Sequence, residues 1–363
     1  MAIPDTSRAA VFLPDEKRFE LRRFPLHQPK ADEVLVKVSL ACLCGSDIHT
    51  VTGRRHPPGP IVLGHEICGS IAAAGVGVMK DFAGATLRVG DRVTWSIMAR
   101  CGRCFFCTHG LPQKCESLFK YGHESIATAP SLSGGFAEYV YLVPGTAILR
   151  LPDHVPDHTA AFANCSLATM CAAVRTLGIG EGDRVLIQGA GLVGLCASAL
   201  CSAAGAAVVA VTDATDERLE RAKAFGATHT CNVRKENEEE TLSAVAGPRG
   251  FDAGIEVCGV AAAVPVGLRA LRIGGRYLTA GCVFPGATAV VDFQWMTTRL
   301  LQLIGLHNYT PEDLARAVAF VAENREQFPW GDVVGKTFGL GEIDEAVAFA
   351  QADPEVLRVG VEP

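Results

Sequence analysis

The sequence predicts an α/β protein in which a β-rich region precedes a doubly wound parallel sheet. Three observations lead there. Residues 8 to about 150 carry short apolar runs separated by Gly and Pro turns, as at Pro57-Pro58-Gly59-Pro60 and Val89-Gly90-Asp91. From about residue 155 the texture changes to strand–helix alternation, the pattern of a parallel sheet. A glycine-rich turn, Gly189-Ala190-Gly191-Leu192-Val193-Gly194, falls between the first strand of that alternation and its helix.

The elements follow in order. Strands are expected over 34–38, 67–74 and 92–95, and one helix over 157–177. Residues 184–188 are a buried strand, 192–204 a helix, 207–211 a strand and 217–225 a helix stopped by Gly226. Strands at 251–256 and 276–279 continue the alternation, and 300–306 reads as an apolar edge strand. A helix over 311–323 carries Pro in its first turn, and 336–363 holds strand–helix–strand material. The charged run 235–240 reads as a solvated loop or helix start.

The chain has 363 residues, enough for two domains with large cores. A net charge of −6 argues against wholesale nucleic-acid binding. The first residues lack a basic segment followed by an apolar one, so no export signal is expected. The run 189–211 is long enough for a membrane span but consists mostly of Ala, Gly, Ser and Cys. A buried strand–turn–helix–strand unit produces the same run, so no membrane partner is expected. Fourteen cysteines in a chain placed in the cytoplasm argue for thiols, with clustered ones holding a metal or doing chemistry.

The densest cluster is Cys101-x2-Cys104-x2-Cys107-x7-Cys115. Four thiolates this close wrap a tetrahedral ion, and zinc fits best. Gly102 and Gly110 let the chain fold back, and a closed four-Cys site stiffens a lobe rather than reacting. Upstream lie Cys44-Gly-Ser46-Asp47-Ile-His49 and Gly64-His65-Glu66. Cys44 and His65 are zinc ligands of mixed softness, and a third ligand with an open fourth position would make a catalytic site. The glycine turn is followed by Asp213, 19 residues after Gly194, at the end of the next strand. This is dinucleotide-binding context, in a Rossmann arrangement. Gly189, Gly191, Leu192, Val193 and Gly194 bring backbone close to a pyrophosphate, and Asp213 accepts from ribose hydroxyls. An acid there repels a 2′-phosphate and favours NAD, although Arg218 on the next helix could lie over the adenine.

Together these residues resemble the zinc-containing medium-chain alcohol dehydrogenase family over essentially the whole chain. The resemblance implies a GroES-like β-rich catalytic domain over 1–160 and 310–363 and a Rossmann domain over 161–309. It implies one catalytic and one structural zinc per chain, NAD, a small alcohol or carbonyl substrate, and a homodimer or homotetramer built on the edge strand 300–306. It supplies the third catalytic ligand as Cys165 in Ala161-Phe-Ala-Asn-Cys165-Ser-Leu-Ala-Thr169, with Thr169 near the nicotinamide and Glu66 as the alternative ligand. Polyol dehydrogenases of the family usually place Glu where Cys165 stands.

The implied chemistry is hydride transfer from an alcohol whose hydroxyl pKa is lowered by zinc. Ser46 would accept the alcohol proton and His49 pass it to solvent. Asp47 would orient His65, and Arg358 would reach the cofactor pyrophosphate. Residues 52–57 should rim the substrate cleft. Arg54 and Arg55 there could hold an anionic group, and the loop is similar to that of zinc dehydrogenases of phosphonate breakdown. A hydroxyalkyl phosphonate is therefore a candidate substrate, a polyol or aldehyde the alternative. Ile97, with Trp95 and Tyr121, is a candidate for the apolar side of the pocket.

Overall fold

The computed structural model describes residues 3–78, 80–127, 130–353 and 355–363. The chain divides into two compact units: residues 1–165, 310–325 and 330–363, and residues 166–309 with 326–329.

The first unit is built on an eight-stranded sheet. Its main path runs Val334–Gly339, Arg358–Glu362, Val34–Leu43, Glu66–Ala74, Arg92–Ala99 and Phe119–Lys120. Tyr139–Leu142 pairs beside Val34–Leu43, and Thr146–Arg150 beside Arg92–Ala99. A second sheet of Arg18–Pro25, Thr6–Leu13 and Ile61–Val62 covers the core. Val34, Leu35, Val36, Ile67, Val93, Trp95, Tyr121 and Phe136 fill that core without solvent exposure.

Two registers matter for the site. Cys42 stands opposite Glu66, and Val359 stands opposite Leu43. The last strand therefore returns from the far end of the sequence to deliver Arg358 beside Cys44. Val34–Leu43 and Arg92–Ala99 are longer than the sequence pattern suggests, because nearly every residue is buried and little alternation marks their ends.

The second unit is a six-stranded parallel sheet ordered His229–Asn232, Val208–Asp213, Arg184–Gln188, Phe251–Glu256, Leu271–Thr279 and Gln302–Gly305. This is the 3-2-1-4-5-6 order of the Rossmann fold. The run 189–211 becomes turn, helix Leu192–Ala203 and strand, with most of that helix buried. The expected edge strand is the shorter Gln302–Gly305; Leu303 within it and Leu300 just before it are exposed.

The single helix expected over 157–177 is interrupted. Asp157–Ala160 is one helical turn, Ala163–Leu167 a π turn, and Ala168–Leu177 a regular helix. Cys165 is the middle residue of the π turn. The wider turn re-aims a side chain that a continuous helix would hold elsewhere, a use to which π turns are often put at functional sites.

Candidate active site

Cys44 caps the short helix Gly45–Val51, and Asp47 locks that cap by accepting the Cys44 N–H at 2.9 Å. The same carboxylate accepts the Gly64 N–H at 3.3 Å and faces His65 Nδ1 at 3.4 Å, an ion-pair separation. One buried acid thus orients two prospective ligands drawn from distant segments. Asn164 ties in the third: its amide donates to the His65 carbonyl at 3.0 Å and to the Trp95 carbonyl at 2.9 Å. Sequence reasoning assigned Asn164 no role, because its partners are main-chain groups in other strands.

The result is a convergence of Cys44, His65, Glu66 and Cys165, whose ligand atoms all lie within 4.8 Å of one another. A hydrogen bond from Cys165 holds the Cys44 thiol well below the usual thiol range despite its burial, and thiolate is the form that binds metal. Burial disfavours a charged imidazole, yet Asp47 and Cys44 lift His65 to about 10. The field that does so is negative, which is what a divalent cation requires. Two thiols, an imidazole and room for one more donor fit a catalytic zinc site.

The Glu66 carboxylate is committed elsewhere. Arg358 Nε donates to one of its oxygens at 2.5 Å and Nη2 to the other at 2.7 Å. Nη2 also lies 3.6 Å from Cys44 Sγ, and Nη1 donates to the Leu357 carbonyl. Burial pushes the Glu66 carboxyl up and the bidentate guanidinium opposes it. Arg358 departs from the sequence reading: it is buried against Glu66 rather than reaching out to a pyrophosphate. Its nitrogens are used at the metal cluster, because the register of the last strand places it there. With that carboxylate paired to Arg358, the sulfur and nitrogen donors of the cluster are Cys44, His65 and Cys165.

Ser46 and His49 lie one turn apart on the Gly45–Val51 helix, hence on one face, both half-buried. Ser46 Oγ is 3.3 Å from His65 Nε2, so its hydroxyl reaches the metal cluster. Burial and then Arg54 lower the His49 pKa, which keeps the ring neutral and able to accept a proton. Arg54 is exposed, Arg55 half-buried. Trp95 and Tyr121 belong to the core, and the Tyr121 hydroxyl turns to Thr146 and the Val143 N–H, so neither is a pocket wall. Ile97 is buried on the same strand as Trp95.

Two residues overlooked in the sequence join this site. The turn Lys120-Tyr-Gly122-His123 packs against the His65 backbone. A Cβ at Gly122 would stand 2.9 Å from the Gly64 oxygen and 3.2 Å from His65 Cβ. That close approach sets the His123 ring 5.2 Å from the His65 ring. His123 Nε2 in turn lies 2.6 Å from Arg55 Nη1. The signal was present as a Lys-Tyr-Gly-His stretch just after the four-Cys lobe.

In that lobe the four sulfurs of Cys101, Cys104, Cys107 and Cys115 also lie within 4.8 Å of one another. Main-chain N–H groups of Cys104 and Ser117 point at Cys101 and Cys115 sulfur, at 3.4 Å each. Arg103 and Cys104 N–H groups draw Cys101 down to about 6.

In the second unit the glycine turn has the shape a dinucleotide needs. A Cβ at Gly194 would meet the Gly189 oxygen at 1.8 Å, so helix and strand pack too closely for a side chain. A Cβ on Gly191, which caps the helix, would meet nothing within 4 Å, leaving a cradle at the helix N-terminus for phosphate. Leu192 and Val193 open that helix. Asp213 ends its strand and accepts the Ala190 N–H at 2.8 Å and those of Ala214 and Thr215. Arg218 is half-buried on the helix Asp216–Ala224, and Thr169 half-buried on Ala168–Leu177.

The comparisons agree with this geometry. Residues 30–153 match the alcohol dehydrogenase GroES-like domain family, and residues 193–323 the zinc-binding dehydrogenase family. Sorbitol dehydrogenase of Bacillus subtilis is 34% identical, covering 99% of this chain and 98% of its own. The 5-exo-hydroxycamphor dehydrogenase of Pseudomonas putida is 32% identical, covering 95% and 96%. An alcohol dehydrogenase structure from Thermotoga maritima superposes with a TM-score of 0.92 at 26% identity over 99% of both chains. The chain belongs to the zinc-containing medium-chain alcohol dehydrogenase family. It is a zinc-dependent oxidoreductase of the alcohol and polyol class that works with a nicotinamide cofactor.

Proposed function

We propose that the enzyme oxidises a small alcohol bearing an anionic group, reversibly, with NAD as hydride acceptor. The observation that carries the anionic part is Arg55: half-buried, bound to the His123 ring that packs on His65, and paired with no acid among the described residues. Half-burying a charge without a partner costs stability, which a bound anion restores. A hydroxyalkyl phosphonate has the required form. The relatives' names, hydroxycamphor and sorbitol, do not agree on one substrate.

In this reading Cys44, His65 and Cys165 hold the catalytic zinc, and Cys101, Cys104, Cys107 and Cys115 the structural one. Zinc at the first site supplies Lewis acidity that makes the alcohol hydroxyl acidic. Ser46 would take the hydroxyl proton while passing its own on by way of the nicotinamide ribose to His49, which, neutral at rest, would release it to solvent. Asp47 holds Cys44 and His65 in place while this happens. Thr169 lies beside the nicotinamide, Gly189 to Gly194 cradle the pyrophosphate, and Asp213 receives the ribose. Thiols clustered as metal ligands suit a reducing cytoplasm, and the exposed edge strand Gln302–Gly305 suits sheet pairing between two subunits.

Steady-state kinetics test the substrate. With Arg55→Ala, KM for a hydroxyalkyl phosphonate should rise roughly ten- to hundredfold, the worth of a charge-assisted hydrogen bond. KM for the neutral alcohol of the same skeleton should stay put. If the wild-type enzyme does not prefer the anionic alcohol, or Arg55→Ala leaves its KM unchanged, the anionic reading fails and a polyol is the better candidate.

The cofactor has its own test. Asp213→Asn removes the charge that repels a 2′-phosphate, so the NAD-over-NADP ratio of kcat/KM should shrink roughly tenfold or more. An unaltered ratio would remove Asp213 from cofactor selection.

A further inference from the structure

We propose that Glu256 is a positioning residue for the nicotinamide half of the cofactor: its buried carboxylate clamps together two loops, 257–259 and 280–282, whose main chain receives the nicotinamide end. The proposal does not depend on the identity of the alcohol.

The topology supplies the place. Arg184–Gln188 and Phe251–Glu256 lie side by side, with Gln188 and Glu256 paired in register. The strand order reverses between these two strands, and dinucleotides bind across the crevice outside the carboxyl ends of the strands at such a reversal. The half-sheet of Arg184–Gln188, Val208–Asp213 and His229–Asn232 carries the glycine turn and Asp213, the adenosine side. The other half-sheet, Phe251–Glu256, Leu271–Thr279 and Gln302–Gly305, is left for the nicotinamide side. Glu256 ends the first strand of that half, Thr279 ends the second, and the two are register partners.

The hydrogen bonds supply the clamp. Glu256 has no solvent exposure. One carboxylate oxygen, Oε1, accepts the Gly259 N–H at 2.6 Å. The other, Oε2, accepts the Thr279 hydroxyl at 2.7 Å and the Gly281 and Cys282 N–H groups at 3.2 Å each. Oε1 thus holds the first loop and Oε2 the second. No cation pairs with Glu256 among the described residues, so neutral donors alone satisfy it. Burying an acid is costly unless its oxygens are filled in this way. The fit is close. A Cβ at Gly281 would stand 2.4 Å from Glu256 Oε1 and 2.6 Å from the Gly259 nitrogen. The first loop also abuts the glycine turn, where a Cβ at Gly189 would stand 2.9 Å from the Cys258 nitrogen. A carboxylate spent on its own loops acts on a ligand through the main-chain groups that it fixes. The nicotinamide carboxamide, with one carbonyl and one NH2, is a group that main-chain N–H and C=O can hold.

The experiment compares dissociation constants of NADH and ADP-ribose for the zinc-loaded enzyme without alcohol. ADP-ribose keeps every group of the cofactor except nicotinamide. Glu256→Gln keeps one acceptor oxygen and turns an NH2 onto main-chain donors. It should weaken NADH about tenfold and leave ADP-ribose within about twofold. Gly281→Ala, which wedges the loops apart with Glu256 in place, should split the two ligands in the same way. Thr279→Val removes only the hydroxyl donor and should weaken NADH about threefold. It is the mildest change, and it decides the matter if the other two do not fold. Equal weakening of NADH and ADP-ribose would mean that Glu256 merely supports the sheet. Unchanged NADH binding would mean that the two loops do not receive the nicotinamide. Either result overturns the proposal.

Discussion

Replacing His65 by Ala should leave a folded protein that has lost one zinc and nearly all turnover. The three prospective ligands come from a helix cap, the residue just before a strand and a π turn, and none holds an ion alone. Removing the imidazole leaves two thiols and a carboxylate already bound to Arg358. Lewis-acid stabilisation contributes several kcal/mol, and at ~1.4 kcal/mol per decade kcat/KM should fall by about a thousandfold or more. Metal analysis should read one zinc where the wild type reads two, one for each cluster. Circular dichroism should be unchanged, because the imidazole's partners, Ser46, Asp47 and His123, lie outside the sheets. Retained zinc and retained turnover in His65→Ala would remove the site from the chemistry. Asp47→Ala should give a weaker version of the same result, since that carboxylate holds the Cys44 cap and faces His65.

The second large effect concerns stability. Between Cys101 and Cys115 only Pro112 and Cys115 are buried, and Phe105 and Leu111 are exposed. The lobe therefore has almost no apolar core, and its one helix, Phe105–Thr108, is a single turn. A metal among four sulfurs is what holds such a segment, and its binding energy is folding energy. Cys104→Ser should lose the structural zinc, loosen residues 101–115 to proteolysis and lower the melting temperature by roughly 10 °C, on the scale of a few degrees per kcal/mol. Residual activity should persist at low temperature, because the catalytic cluster is built from other segments. A melting temperature and zinc content equal to wild type would show that the lobe folds without metal.

Much of this was legible in the sequence because metal ligands and glycine turns work at short range. The four-Cys spacing, Cys44 to His49, Gly64 to Glu66 and Gly189 to Gly194 each carry their own chemistry within a few residues. The parallel sheet of the second unit followed from the alternation, though the strand His229–Asn232 at its edge did not. What was not legible depends on distant register. Arg358 meets Glu66 only because the last strand pairs with Val34–Leu43, and no local pattern encodes that pairing. The π turn hides in an apolar run that a regular helix would satisfy equally well, so the aim of Cys165 came from resemblance alone. His123 looks like an ordinary surface residue until Gly122 brings its turn onto the His65 backbone. Asn164 works through main-chain carbonyls, which leave no trace in residue type.

The central claim is that Cys44, His65 and Cys165 hold a reactive zinc distinct from that of the four-Cys lobe. Zinc content and NAD-linked turnover measured together during chelation test it most directly. Two zinc ions per chain should be found, and the loss of one, from the cluster of Cys44, His65 and Cys165, should abolish turnover that added zinc then restores. Full turnover after that cluster has been emptied, or a wild-type chain carrying zinc in the four-Cys lobe alone, would contradict the account.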